Sequence, residues 1–259
     1  MRRVRFVVAY NGQPFHGFAI NPKVATVAGT LGGALQQIFQ TPIPLVSAGR
    51  TDAGVHAIAQ VISCDIAENC DLVTLRKQLN SLCGPEIIVK EIAWAPSDFH
   101  ARFSAIWRHY QYFVYNADFP DPFKVASSWH VIAPLNLHAM QLACDPIIGT
   151  HDFSAFCKKR EGATTIRTLM KFDWTETADG LIKVELEADA FCYSMVRNLV
   201  GSAVCVAEGR FEPNWIAEML ANRERISESM VFPAEGLTLV QVDYPDNAEL
   251  ITRATLTIS

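Results

Sequence analysis

Strand patterns and helix patterns alternate twice along this 259-residue chain, and no Gly-, Pro- or Ser-rich linker separates the two rounds. In the first round, Val4–Tyr10 is rich in β-branched and aromatic residues and reads as a strand. Thr26–Phe39 carries apolar residues at Val27, Leu31, Ala34, Leu35 and Ile38, which is helical spacing. Gly29, Gly32 and Gly33 fall on that helix and point to the close approach of another backbone. Ala59–Ile66 reads as a strand, Asp71 caps a helix through Leu72, Leu75, Leu79 and Leu82, and Glu86–Ala95 is a further strand. The second round begins with a strand over Ile106–Asn116 and a short helix capped by Asn136. Two strands, Thr164–Thr177 and Leu181–Ala188, follow around the Ala178-Asp179-Gly180 turn. Met195–Val206 is apolar nearly all round and reads as a buried helix, Asn214–Arg223 as an amphipathic one, and Leu237–Tyr244 as the last strand. This order predicts an α+β chain in two similar halves, 1–104 and 105–259. Each half is a mainly antiparallel sheet with helices on one face.

Half of the residues are hydrophobic and 19% are charged, enough apolar mass for a packed interior and too little charge for a disordered chain. No apolar run approaches the ~20 residues of a membrane-spanning helix. The basic start, Met1-Arg2-Arg3-Val4-Arg5, is not followed by the apolar core of a secretory signal. A cytoplasmic location is expected. Seven cysteines, an odd number with no Cys-x-x-Cys pair, argue against a disulfide framework and against a zinc site. The net charge of −5 runs against the basic footprint of a nucleic-acid binder. The nine acidic residues and four arginines from Cys205 onward account for all of it, however, and residues 1–204 balance at zero. Basic clusters remain at Arg2, Arg3 and Arg5, and at Lys158, Lys159, Arg160, Arg167 and Lys171. Each reads either as a local phosphate footprint or as a solvated surface.

The segment richest in chemistry is Gly49-Arg50-Thr51-Asp52-Ala53-Gly54-Val55-His56-Ala57. Gly49 and Gly54 bracket it and open backbone angles closed to other residues, so a tight loop with Asp52 at its tip is expected. Arg50, two positions away, favours the ionised carboxylate. A carboxylate held charged on a rigid loop is suited to attack an electrophilic carbon. Residue types alone leave a second reading open, in which the Arg–Asp pair only stabilises a turn.

The whole nonamer resembles the signature loop of the TruA family of tRNA pseudouridine synthases. Further landmarks of that family follow in order. They are Phe99-His100-Ala101-Arg102-Phe103-Ser104-Ala105 with Tyr110-Gln111-Tyr112, then Gly149-Thr150-His151-Asp152-Phe153-Ser154-Ala155-Phe156, then Phe191 with Met195-Val196-Arg197-Asn198-Leu199-Val200-Gly201, and finally Ala234-Glu235-Gly236-Leu237. The segments Gly17-Phe18-Ala19-Ile20 and Thr26-Val27-Ala28-Gly29 depart from the family pattern, lacking its tryptophan, glutamines and acidic residues. The resemblance implies two ferredoxin-like or RRM-like halves with their sheets joined into one and an active-site cleft between them. It implies isomerisation of uridine to pseudouridine in the anticodon stem-loop of tRNA, at positions 38–40, by a homodimer that uses no cofactor and no metal.

Carried over by position, Asp52 is the catalytic aspartate and acts as nucleophile, and Tyr110 is the active-site tyrosine that contacts the uracil. Arg50 either holds Asp52 ionised or fills the gap left when the uridine swings out of its helix. Arg197 falls on the buried helix, where a guanidinium requires a partner. Pairing with Asp52 in the cleft is expected, and a salt bridge elsewhere is the alternative. His56, His100, His109 and His151 have no metal-ligand spacing and are assigned no chemistry. Phe153 and Phe156 are expected in the core. The competing reading of the whole chain is a non-catalytic RNA-binding protein of the same fold, although such a protein has no need of an Arg50–Asp52 loop together with Tyr110.

Overall fold

The computed structural model describes residues 1–158, 162, 164–223 and 231–246. Lys159 and Arg160 of the second basic cluster lie outside the described residues. The fold is mixed α+β with mostly antiparallel strands. It divides into two compact units, Met1–Ile106 with the chain returning from Leu239 onward, and Trp107–Thr238.

In the first unit the order is β1 (Arg2–Tyr10), α1 (Val27–Phe39), β2 (Val46–Ser47), β3 (His56–Ile66), α2 (Leu72–Cys83) and β4 (Ile87–Trp94). The sheet runs β4-β1-β3, with β2 on β3. Both pairings of β1 are antiparallel, with Val4 opposite Cys64 on one side and Trp94 on the other. Side chains alternate along β1 as a half-buried strand requires: Val4, Phe6, Val8 and Tyr10 are buried, with Arg5 and Val7 between them more open. α1 and α2 cover that face with Leu31, Leu35, Leu75 and Leu79, none more than 1% exposed. Both helices start at the residues the sequence nominates. Thr26 Oγ1 accepts from the Gly29 N–H, and the Asp71 carboxylate accepts from Val73 and Thr74 N–H, satisfying donors that a helix start leaves orphaned.

The arginines of β1 each face a carboxylate within the unit: Arg3 meets Asp65 at 2.6 Å, Arg2 meets Glu68 at 3.7 Å and Arg5 meets Glu91 at 4.0 Å. Arg3 also donates to the Phe99 carbonyl, which holds the second family motif against β1. Asp65, hydrogen-bonded to that guanidinium, is held below the usual carboxylate range. The N-terminal basic cluster is thus spent largely on intramolecular pairs.

The glycines of α1 do not mark a backbone contact, contrary to the expectation from their spacing. A Cβ on Gly29 would meet only the capping Thr26 hydroxyl, one on Gly32 would graze a Leu45 methyl at 3.9 Å, and one on Gly33 would meet nothing within 4 Å. Helical spacing shows which side of the helix a glycine lies on, but not what stands opposite. Gly33 is exposed, so Gly33→Ala keeps every contact and removes backbone freedom from the unfolded chain. A stabilisation of ~0.5–1 kcal/mol is expected. Chemical denaturation of the two proteins checks this, and a loss of stability would show that an unseen neighbour needs the space.

In the second unit the order is β5 (Arg108–Asn116), β6 (Trp129–Val131), α3 (Leu137–Cys144), β7 (Gly149–Asp152), β8 (Ile166–Glu176), β9 (Leu181–Ala188), α4 (Met195–Ala207) and α5 (Trp215–Asn222), and β10 (Leu237–Val242) leads back to the first unit. The strands run β5-β9-β8-β7, all antiparallel, and β6 joins β5 in parallel. Helix α4 is buried on almost every side, as its apolar sequence demands. Leu199 of α4 is buried in the interior of this unit, as are Phe153, Phe156, Phe172 and Leu186, none more than 1% exposed. Strand β7 was invisible in the sequence because its residues, Gly149 to Asp152, carry no apolar alternation. Pairing to β8 makes it a strand, with the Thr150 and Thr168 hydroxyls 2.9 Å apart. Cys157 and Cys192 are joined as a disulfide, Cα atoms 5.7 Å apart. Their 35-residue separation gave no hint of it; next to the pair the Lys158 N–H donates to the Tyr193 carbonyl at 3.1 Å. No helix among the described residues is long and apolar enough to cross a membrane.

Candidate active site

The signature nonamer leads into β3 and carries Asp52 at the head of a turn in which the Val55 N–H donates to the Asp52 carbonyl at 3.2 Å. Gly54 occupies the left-handed region, φ 82°, a conformation costly to a residue with a Cβ. Gly49 does not, and a Cβ there would meet nothing within 4 Å. Only one of the two bracketing glycines is therefore required by backbone angle. Thr51 and Val55 are buried on either side of the turn, Asp52 is half-buried, and Ala53 is exposed. Arg50 is exposed.

The turn is gripped from three directions. The Tyr10 hydroxyl lies 2.8 Å from Thr51 Oγ1, and Gln60 Nε2 reaches both the Tyr10 oxygen at 3.3 Å and the Gly49 carbonyl at 2.9 Å. The Phe18 N–H donates to the Thr51 carbonyl at 3.0 Å, and the Gly54 N–H to the Phe15 carbonyl at 3.4 Å. The Gly12 N–H donates to His56 Nδ1 at 3.2 Å. Residues 12–18 form the cradle. Gly17 adopts φ 91°, and a Cβ on Gly12 would stand 2.2 Å from the Val55 carbonyl oxygen. The cradle is in turn fastened to α1, whose Val27 and Ala28 N–H groups donate to the Gly17 and Phe18 carbonyls. The segment that departs from the family pattern is thus the support of the signature loop. Sequence reasoning passed over Tyr10, Gly12 and Gln60. The one available signal was Gln60, a polar residue inside an otherwise apolar strand pattern.

In the second unit Tyr110 stands on β5, on the same face as the fully buried Tyr112 and Val114. Tyr110 itself is half-buried, and its ring meets Phe191 edge-on with centroids 5.2 Å apart. Arg197, on α4, is part-buried. Its Nε donates to the Phe232 carbonyl and its own carbonyl accepts from the Phe232 N–H. Motif residues 234–237 close onto β5: the Gly236 carbonyl accepts from Phe113 N–H, and a Cβ on Gly236 would lie 2.6 Å from the Tyr112 ring. Tyr112 donates to the Pro233 carbonyl at 2.9 Å, and burial drives its phenol well above the ordinary range. Of the four residues singled out from the sequence, Arg50 and Asp52 lie in the first unit, and Tyr110 and Arg197 in the second.

Asp52 on its clamped turn in the first unit and half-buried Tyr110 on β5 in the second are the candidate site residues, and known proteins identify the class of the chain. Residues 143–245 match a family model described as tRNA pseudouridine synthase. The chain is 42% identical over 257 residues to tRNA pseudouridine synthase A of Frankia casuarinae, covering 98% of this chain and 94% of that one. It is 42% identical to the same-named protein of Cutibacterium acnes (98% and 93% covered) and 38% identical to that of Bacillus subtilis (93% and 99% covered). The chain belongs to the TruA family of tRNA pseudouridine synthases, which are isomerases.

Proposed function

We propose that this protein converts uridine to pseudouridine in the anticodon stem-loop of tRNA, at positions 38–40, with Asp52 as the nucleophile. The observation that carries the reading is the placement of Asp52. It heads a turn flanked by the buried, hydrogen-bonded Thr51 and Val55, while Asp52 itself is half-buried.

The uridine leaves its stack to reach Asp52, at a cost of a few kcal/mol. Arg50, exposed on the loop, fills the space it vacates. The Asp52 carboxylate attacks the nucleotide and the glycosidic N1–C1′ bond breaks. The uracil turns, C5 bonds to C1′ as the bond to the Asp52 oxygen breaks, and the C5 proton passes to solvent, which restores the ring and frees the carboxylate. Tyr110 stacks on the uracil and offers its hydroxyl to it, positioned by the edge of Phe191. Arg197 is proposed as the partner that orients the Asp52 carboxylate. The family's working unit, a homodimer binding tRNA across two subunits in the cytoplasm, is proposed here as well.

Incubation with unmodified tRNA transcripts and mapping at single-nucleotide resolution tests the assignment. Pseudouridine at positions 38–40 is the expected result. Modification confined to other positions would overturn the specificity, and a blank map with tRNA still bound would leave an RNA-binding protein of the same fold.

A further inference from the structure

We propose that Tyr10, Thr51 and Gln60 form a buried hydrogen-bonded relay whose task is to set the position of the Asp52 carboxylate, making them positioning residues for the reaction. The inference rests on the reading of Asp52 as the reacting group. Three polar side chains from β1, the signature loop and β3 meet in a core where Tyr10 is 4% exposed, Thr51 6% and Gln60 0%. Burying them costs stability unless each is partnered, and a purely apolar trio would pack the same space without that cost. Their hydrogen bonds have a direction. Gln60 must present its NH₂ group to the Gly49 carbonyl, and the same group reaches the Tyr10 oxygen. The phenol oxygen is then an acceptor, and its own proton goes to Thr51 Oγ1. Burial pushes the Tyr10 phenol up to about 12, so it remains a proton donor at neutral pH.

The relay grips the loop at Gly49 and Thr51 on the N-terminal side of Asp52, while the backbone bond from Gly54 to Phe15 holds the other side. Asp52 is the residue left between two fixed points. No member of the relay has to touch substrate for this to matter, because a displacement of ~1 Å at a reacting group costs ~10²-fold in rate.

The test uses the full chain and an unmodified tRNA transcript carrying uridine at positions 38–40. Thr51→Val keeps the volume and deletes the oxygen, Tyr10→Phe deletes the phenol oxygen alone, and Thr51→Ser keeps the hydroxyl. Thr51→Val and Tyr10→Phe are each expected to lower kcat ~10–100-fold per folded molecule, with KM for tRNA within about threefold because phosphate contacts are untouched. Thr51→Ser restores most of the rate. The double variant falls little below either single one, since both break the same relay. A kcat near the parent in Tyr10→Phe and Thr51→Val would overturn the proposal, as would a loss confined to the unfolded fraction measured by thermal melting. If Thr51→Val does not fold, Tyr10→Phe decides alone, since it leaves the ring packed near Phe18 at 6.4 Å. Failure of the relay is distinct from failure of the Asp52 reading: the first leaves Asp52→Asn inactive, and the second leaves it active.

Discussion

Asp52→Asn is expected to lose at least ~10⁴-fold in turnover, the scale seen when a nucleophile is removed from a site whose binding groups remain. Asparagine matches the carboxylate in shape, so the turn closed by Val55 N–H and the Asp52 carbonyl survives, as do the grips on Thr51 and Gly54. What disappears is the negative charge and the nucleophilic oxygen. Affinity for tRNA should change less than about threefold, because binding of a polyanion is dominated by phosphate contacts elsewhere on the protein. Single-turnover assays and filter binding on the same preparation separate the two effects. A variant turning over within tenfold of the parent would remove Asp52 from the reaction.

Gly12→Ala should be the most damaging single methyl in the first unit. The added Cβ would sit 2.2 Å from the Val55 carbonyl oxygen, 2.5 Å from its carbon and 2.7 Å from the Gly54 carbon. All three are backbone atoms of the turn that Asp52 heads, so no side chain can swing aside to relieve the overlap. The cradle and the turn must move apart, straining the bond from Gly12 N–H to His56 Nδ1. A loss of ~2–3 kcal/mol is expected from such overpacking, together with a fall in kcat of ~10²-fold from misplacement of Asp52. Urea unfolding and kcat measured well below the midpoint report the two losses independently. Parental stability would mean the contact is looser than drawn. Lost stability with intact kcat would mean the turn does not set the carboxylate.

These two substitutions mark the boundary between motif and structure. Asp52 is plain in the sequence because the nonamer is a distinctive string. Gly12 is not, because nothing local distinguishes it from the Gly33 that stands in open space. The caps at Asp71 and Asn136 were legible because capping is local, one side chain answering an N–H two or three residues ahead. The long strands and α4 were legible because burial imposes a period on composition. Strand β7, the Cys157–Cys192 bond and the Tyr10–Thr51–Gln60 relay were not, since each joins residues whose separation carries no pattern.

The linear chain by itself determined the class of the enzyme and the α+β alternation and put forward Asp52 as the candidate carboxylate, because these are written in contiguous residues and short-range periods. The three-dimensional fold alone decided which glycines must be glycine, which arginines of β1 are occupied by neighbouring carboxylates, and which polar groups hold Asp52 in place. Those are facts about separations of a few ångströms between residues far apart in sequence, 96 positions for Arg3 and Phe99 and 121 for Tyr112 and Pro233, and only folding brings such residues within reach.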